Sequence, residues 1–320
     1  MSEDSPKGIR PFVFHGVEFN STSEGKNGTE YLADCPFCGA ANKFSVNSIT
    51  SQFRCFPCGA NGSGETFVEQ YHAVCSANTN LDSMKSLLDN RGYLSLETLS
   101  QWGVVKSQYL GDWMLPGYNA AGKLRQLYRY ANTPDGLRLL PTPGLGHQLH
   151  GVNLYKPEAQ IVALCEGPWD AMALWECLRY GKWDGNGNGL IPTDDPDKSA
   201  LNDVSVLAVP GCQTFFEAWL PLFAGKTVWL LYDSDHPRAV CGGCRKGYSS
   251  VSESVCPHCQ SAEVIRIAEP AGYSAMRRVG HLLLSGKDPA ESVEWLEWGP
   301  SGFDPEIPSG FDLRDFIRQP

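Results

Sequence analysis

The stretch "IVALCEGPWDAMALWECLRYG" at residues 161–181 passes from an apolar run into a segment of helical spacing. Two more apolar runs follow, VSVLAVPG at 204–211 and TVWLLYDSD at 227–235, with the helix-like TFFEAWLPLFAG at 214–225 between them. Strands that alternate with helical segments are typical of a parallel sheet whose crossovers are helices. The sequence therefore predicts an α/β domain over residues 161–320.

Acidic residues stand at the ends of the first and third of these predicted strands. Glu166 ends the first strand and Asp170 begins the following helix, while Asp233 and Asp235 end the third strand. The carboxyl ends of parallel strands form the edge at which doubly wound folds bind their ligands. Carboxylate oxygens suit Mg²⁺. The patterns E-G-x-x-D and D-x-D each say little alone, but together, with the turn Val209–Gly211 between them, they predict a divalent metal site.

Eight of the twelve cysteines form four C-x-x-C pairs, which indicates metal binding rather than disulfides. The first two pairs are separated by sixteen residues and predict a zinc ribbon, because two such turns aim four thiolates at one ion. Its predicted ligands are Cys35, Cys38, Cys55 and Cys58. Phe44 and Phe53 lie between the pairs, and we expect them to pack in a small core rather than to stack on nucleobases.

The other two pairs have the spacing C-x2-C-x11-C-x2-C and lie directly behind Asp235. Their predicted zinc ligands are Cys241, Cys244, Cys256 and Cys259. A helix-like segment, PAGYSAMRRVGHLLL at 270–284, follows them. Without the cysteine segment, DSDHP would join this helix smoothly. The sequence therefore predicts a second zinc ribbon, inserted at residues 239–269, and two zinc ions in all.

The formal net charge of −10 argues against a nucleic-acid partner, but the charge is uneven. One segment, 104–146, is basic and contains only Asp112 and Asp135 as acids. Its cations are Lys106, Lys123, Arg125, Arg129 and Arg138. No apolar run is long enough to span a membrane, and the start MSEDSPKGIR has no apolar signal segment. We therefore expect a cytoplasmic protein with no membrane partner.

The stretch from Val162 to Asp235 resembles the TOPRIM domain of bacterial-type primases, type IA and II topoisomerases and some nucleases. The whole chain resembles DnaG-type primases, including the primase half of phage primase–helicases. CPFCGAANKFSVN at 35–47, FRCFPCGANGSGETFVEQ at 53–70 and RGYLSLETLSQWGV at 91–104 carry the likeness outside TOPRIM.

The resemblance implies roles for particular residues. Glu166 would be the family's general metal-site acid, with Asp170, Asp233 and Asp235 as its metal-binding companions. Asp312, in FDLRDFI, resembles the last acidic motif of the family, and Asp288 in GKDPAE is the alternative. The residues expected to line the cleft for template or triphosphate are Lys123, Arg125, Arg129 and Arg138.

The expected domain order follows from the same resemblance. It comprises an N-terminal arm and zinc ribbon (1–72), a linker with a short helix (73–90), the basic N-terminal part of an RNA-polymerase domain (91–160) and TOPRIM (161–320). The Ser/Asn-rich joint at 76–83 is expected to tether the first ribbon flexibly.

The expected function is that of a DNA-dependent RNA primase from a bacterium, or from a phage or plasmid in a bacterial host. It would use single-stranded DNA, ribonucleoside triphosphates and Mg²⁺ or Mn²⁺ to make RNA primers, with a replicative helicase acting in trans. Two alternatives stay open: a TOPRIM nuclease, and a non-catalytic TOPRIM and zinc protein that binds DNA. A topoisomerase is not expected, because these 320 residues leave no room for a strand-passage domain.

Overall fold

The computed structural model describes residues 5–25, 27–88, 94–134, 136–184, 189–251, 253–299 and 302–317. The chain forms two compact units, Met1–Asn153 and Leu154–Pro320. Asp135 and residues 91–93, which the sequence analysis used, lie outside the described residues. No helix in the described ranges is both long and apolar enough to cross a membrane.

The first unit begins with the first cysteine quartet on a five-stranded antiparallel sheet of order β1-β2-β3-β4-β5. Its elements are α1 (Arg10–Phe14), β1 (Phe19–Gly25), β2 (Gly28–Ala33), β3 (Phe44–Asn47), β4 (Phe53–Cys55), β5 (Asn61–Gly62) and α2 (Gly64–Asn78). Phe12, Phe44, Phe53 and Phe67 are buried, and their ring centroids lie 4.6 to 6.2 Å apart. The expectation that Phe44 and Phe53 pack in a core is therefore confirmed.

A second antiparallel sheet, of order β6-β7-β8-β9, completes the first unit. Its elements are α3 (Leu81–Leu88), α4 (Leu96–Gln101), β6 (Val105–Lys106), β7 (Trp113–Tyr118), β8 (Leu124–Thr133) and β9 (Gly136–Leu140). Buried residues of β7 and β8 such as Met114, Leu115 and Leu127 form the core of this part.

The prediction of a flexible joint at 76–83 is wrong. Helix α2 continues to Asn78, and Thr79 Oγ1 donates to Cys75 O at 2.7 Å and accepts from Lys106 N at 2.9 Å. The first sheet is also bonded to the second part of the unit, because Gln108 Nε2 donates to Pro36 O at 2.9 Å. Polar composition suggested a linker, but side-chain bonds to the backbone anchor this segment.

The second unit contains the predicted parallel sheet, of order β13-β10-β14-β18. Its strands are β10 (Ile161–Cys165), β13 (Val204–Ala208), β14 (Thr227–Leu231) and β18 (Ser292–Trp295), and helix α5 (Pro168–Tyr180) follows β10. Between α5 and β13, β11 (Gly181–Trp183) and β12 (Leu190–Pro192) form an antiparallel pair. The α/β class of the domain is confirmed.

The segment 214–225 differs from its predicted helix. Residues Glu217–Leu222 form a 3-10 helix with Pro221 inside it. Proline lacks an N–H and collides with the preceding turn, so an α-helix cannot continue through this position. Trp219, Leu222 and Phe223 are nevertheless buried, as the apolar spacing of the segment indicated.

The second cysteine quartet lies on a small sheet of its own, as the inserted segment predicted. The strands β15 (Arg238–Cys241), β16 (Gly247–Ser249) and β17 (Val264–Ala268) have the antiparallel order β16-β15-β17. The chain then returns to α6 (Ala271–Ser285), β18 and α7 (Leu313–Ile317). An isolated bridge between Ser234 and Phe311 brings the start of α7 beside the end of β14.

Candidate metal centres and carboxylate site

All four C-x-x-C turns have the same backbone conformation. In each, the N–H of the residue after the second cysteine donates to the carbonyl of the first cysteine, at 2.8 to 3.1 Å. That residue has a positive φ of 60° to 75° in every turn, and the four are Gly39, Gly59, Arg245 and Gln260. This turn directs both thiols of a pair to the same side. The backbone therefore has the conformation that a metal site needs.

The first quartet fits a tetrahedral zinc ion. Its four sulfur atoms lie within 4.8 Å of one another. The Sγ–Sγ distances are 3.8 Å for Cys35 and Cys58 and 3.8 Å for Cys38 and Cys55. A tetrahedron with Zn–S bonds of about 2.3 Å has edges of about 3.8 Å. Burial raises the pKa of the Cys35 thiol, so a bound cation is needed to keep it as a thiolate.

The second quartet has the same arrangement with slightly closer sulfur atoms. The Sγ–Sγ distances are 3.4 Å for Cys241 and Cys259 and 3.5 Å for Cys244 and Cys256. Ala239 and Tyr248 are buried against these cysteines and form a small core. Two four-cysteine sites, consistent with two zinc ions, are therefore present as predicted.

The first acidic residues meet where β10 and β14 end side by side. Asp233 N donates to Glu166 Oε2 at 3.2 Å. Burial, with the nearby charges of Asp235 and Asp170, raises the pKa of Glu166 to about 7. Burial, with the charge of Glu166 as the next cause, raises the pKa of Asp233 to about 9. These shifts mean that the protein alone does not stabilise the ionised forms of both carboxyls.

The start of helix α6 closes one side of the carboxylate group, a feature that sequence reasoning missed. Gly272 N donates to Asp235 Oδ2 at 3.0 Å. A Cβ at Gly272 would lie 2.8 Å from Asp233 O and 3.1 Å from Glu166 Oε2, so only glycine fits between these residues. The position follows the inserted ribbon by a few residues, and its tight surroundings are visible only in three dimensions.

Asp170 and Asp312 are joined by an arginine that the sequence did not single out. Arg314 Nε donates to Asp170 Oδ1 at 2.9 Å, and Arg314 Nη2 donates to Asp312 Oδ2. Burial outweighs this ion pair and raises the pKa of Asp170 to about 6. Of the two alternatives for the last acidic motif, Asp312 lies with the other carboxylates, whereas Asp288 is exposed on the loop between α6 and β18.

The carboxylates are grouped more loosely than the cysteines. Among the described residues, only the two cysteine quartets have three or more ligand atoms within 4.8 Å of one another. The donor chemistry of the acids nevertheless fits a divalent ion, since they are hard oxygen ligands whose pKa values are raised by burial and by mutual repulsion. Glu166, Asp233 and Asp235 are the residues that would hold such an ion.

The basic residues of the first unit have different surroundings. Arg129 forms an ion pair with Asp112, and its guanidinium lies 4.8 Å from the Phe14 ring centroid, so it holds the fold together. Arg125 Nη1 lies 3.4 Å from Glu65 Oε2. Lys123 and Arg138 are exposed. Their expected contacts with template or triphosphate stay a prediction.

A groove of about 610 Å³ lies on the first ribbon's sheet. Arg54 and Phe56 are among its lining residues, and the guanidinium carbon of Arg54 lies 4.0 Å from the Phe56 ring centroid. The Phe56 side chain is exceptional among the aromatic residues of this ribbon, because it is 71% exposed.

Comparison with known protein families decides what the first ribbon resembles. Residues 19–92 match the CHC2 zinc finger family. The family's model describes the zinc ribbon of DnaG, so the resemblance to DnaG-type primases predicted from the sequence is confirmed. The match covers the first ribbon and less than a quarter of the chain. No curated protein matches the chain significantly in sequence.

Solved structures similar to this chain include three primases. The zinc-binding and RNA polymerase domains of Aquifex aeolicus primase are 15% identical, with 99% of this chain and 81% of that chain covered and a TM-score of 0.44. A DNA primase domain from Pseudomonas aeruginosa is 14% identical, with 78% of this chain and 74% of that chain covered and a TM-score of 0.45. The primase fragment of the bacteriophage T7 primase-helicase is 13% identical, with 85% of this chain and 91% of that chain covered and a TM-score of 0.37. At these identities and TM-scores the likeness assigns no activity to this chain.

Proposed function

We propose that this chain is a DNA-dependent RNA primase, which makes short RNA primers on single-stranded DNA by nucleotidyl transfer. One observation carries the proposal: Glu166 and Asp233 meet at the ends of neighbouring parallel strands, with pKa values raised to about 7 and about 9. A cluster of this kind lacks cations, and a triphosphate with its divalent ions supplies them. The DnaG-type zinc ribbon in the same chain makes nucleic acid the fitting substrate.

The carboxylates would perform the positioning that this chemistry needs. Bound Mg²⁺ or Mn²⁺ would supply charge neutralisation of the triphosphate and activation of the attacking 3′-hydroxyl. Glu166, Asp233 and Asp235 would fix the place of the ions, because backbone N–H groups of Asp233 and Gly272 hold the side chains of Glu166 and Asp235. Asp170 and Asp312 would complete the acidic set of the TOPRIM domain.

The first ribbon would choose the template position at which a primer begins. Its groove offers the exposed Phe56 ring beside Arg54, and such a pair suits one unstacked base with its phosphate. The exposed Lys123 and Arg138 would contact phosphates of the template or the triphosphate. A replicative helicase acting in trans is the proposed partner.

The test uses single-stranded DNA of mixed sequence, labelled ribonucleoside triphosphates and Mg²⁺ or Mn²⁺, with products separated on a sequencing gel. The proposal predicts short RNAs that require all three components and whose sequence follows the template. Shortening of the DNA without RNA synthesis would instead show a nuclease. DNA binding without either product would show a binding protein.

A further inference from the structure

Arg314 contacts two acids of the carboxylate site at once. Its Nε donates to Asp170 at 2.9 Å and its Nη2 donates to Asp312. The side chains of Asp170 and Asp312 are only 7% and 6% exposed, and that of Arg314 is 22% exposed. Carboxylates this poorly hydrated need a counter-charge. The guanidinium therefore neutralises the charge of these two acids, which a divalent ion would otherwise do.

Asp312 also forms hydrogen bonds at the start of α7. Its Oδ1 accepts the N–H of Asp315 at 3.0 Å, and Asp315 Oδ2 accepts the N–H of Asp312 at 3.4 Å. These reciprocal bonds cap the start of the helix. With Arg314 on its other oxygen, Asp312 has both oxygens engaged by the protein, so a divalent ion that binds there competes with these contacts.

Glu166, Asp233 and Asp235 differ from Asp170 and Asp312 in their ion pairs. Among the residues that the structure describes, no lysine or arginine forms an ion pair with Glu166, Asp233 or Asp235. The site is therefore divided into one half neutralised by a protein cation and one half that is not. This asymmetry indicates where added cations bind.

We infer that Arg314 is a built-in cation that competes with divalent ions for Asp170 and Asp312 and confines ion binding to Glu166, Asp233 and Asp235. The inference rests on the proposed function only in taking the carboxylates as a divalent-ion site. It makes Arg314 a positioning residue, which sets how many ions the site takes and how tightly.

The test is Mn²⁺ binding by the zinc-loaded full chain, measured from the electron paramagnetic resonance signal of free Mn²⁺ at constant ionic strength. Arg314→Gln should bind Mn²⁺ about tenfold tighter or more, and should take one ion more than the wild type, because the competing charge is gone. The matched control is Arg277→Gln, which removes an arginine that is 58% exposed and lies near Glu269 instead. It should bind like the wild type.

Two results would overturn the inference in distinguishable ways. Equal stoichiometry and affinity in the wild type and Arg314→Gln would refute the competition and leave the metal site standing. Absence of Mn²⁺ from both proteins would refute the metal site and the inference together. If Arg314→Gln does not fold, Arg314→Lys serves, since lysine lacks the planar fork with which arginine holds both carboxylates. Its thermal midpoint should rise more with Mn²⁺ than that of the wild type, and an equal rise would refute the inference.

Discussion

Asp233 and Glu166 are expected to make the stability of the second unit depend on pH and, with the proposed metal site, on divalent ions. Ordinary carboxyls ionise near pH 4, whereas the folded pKa values here are about 9 and about 7. Between the unfolded and folded values, the folded state holds more protons than the unfolded state, so folding stability falls as pH rises. The physical reason is that burial and mutual repulsion disfavour the ionised forms.

We therefore predict that Mg²⁺ stabilises the zinc-loaded protein more at pH 8 than at pH 6, because the site has more uncompensated charge at the higher pH. The measurement is the shift of the thermal midpoint on adding Mg²⁺ at each pH. Asp233→Asn should reduce the difference between the two shifts. A shift that is the same at both pH values would contradict the ionisation behaviour described for this site.

The zinc knuckles give a prediction about single backbone positions. In the first ribbon the positive-φ residue after each C-x-x-C turn is glycine, whereas in the second ribbon it is Arg245 at 63° and Gln260 at 60°. A side chain in this conformation costs about 1–2 kcal/mol, and glycine loses part of that gain to chain entropy. Gln260→Gly should therefore stabilise the second ribbon by about 0.5–1 kcal/mol.

Release of zinc to a chelator measures this effect, and the second zinc should be released more slowly from Gln260→Gly. The matched control is Gly59→Gln in the first ribbon. No atom lies within 4 Å of a Cβ built at Gly59, so only its φ of 75° opposes the new side chain. That variant should lose its zinc faster, and unchanged release from both variants would refute the role of backbone conformation.

The inserted ribbon is an element that we expect can be removed without unfolding the rest of the second unit. Arg238 pairs with Ala268 at the base of its sheet, so the two ends of the insertion lie side by side. The ribbon has its own small core around Tyr248 and Cys256. Within the described residues, the parallel sheet of the second unit contains no strand of the inserted ribbon.

Replacing Ala239–Glu269 by a short Gly/Ser turn should therefore leave the second unit folded and lower the zinc content from two ions per chain to one. We also expect weaker retention of DNA or primer, because the ribbon emerges beside Asp235. Metal analysis and circular dichroism check the first part, and a DNA-binding assay checks the second. One zinc in the wild type, or unchanged DNA affinity in the deletion, would contradict the respective part.

Elements were predictable from the sequence where local pattern sets them. The spacing of the cysteines predicted both ribbons, and alternating apolar runs predicted the parallel strands. Two expectations failed for local reasons that apolar or polar composition does not report. Pro221 turns an expected helix into a 3-10 helix, and the bonds of Thr79 anchor an expected flexible joint.

The carboxylate site shows what the sequence could not provide. Glu166, Asp170, Asp233 and Asp235 were predictable because strand ends in a parallel sheet converge. Gly272 and Arg314 were not, since each acts on residues far away in the chain. Arg314 follows Asp170 by more than a hundred positions, and only the packing of α7 near α5 brings them together. Such contacts have no local signature.

The whole molecule combines two four-cysteine ribbons with one acidic site, and the proposed activity must belong to one of them. The zinc ribbons are expected to be structural or to guide DNA, so the chemistry must reside in the carboxylates of the second unit. Loss of one of these charges should then abolish synthesis and leave the fold and both zinc ions in place, because an amide cannot hold Mg²⁺ as a carboxylate does.

The most direct test compares template-dependent RNA synthesis by the wild type with that of Glu166→Gln, Asp233→Asn and Asp235→Asn. Glu158→Gln, which changes an exposed glutamate of the same unit, is the matched control. We expect short RNA primers from the wild type and the control, and none from the three site variants at unchanged zinc content. Primer yields near the wild-type level from any two of the site variants would contradict this expectation.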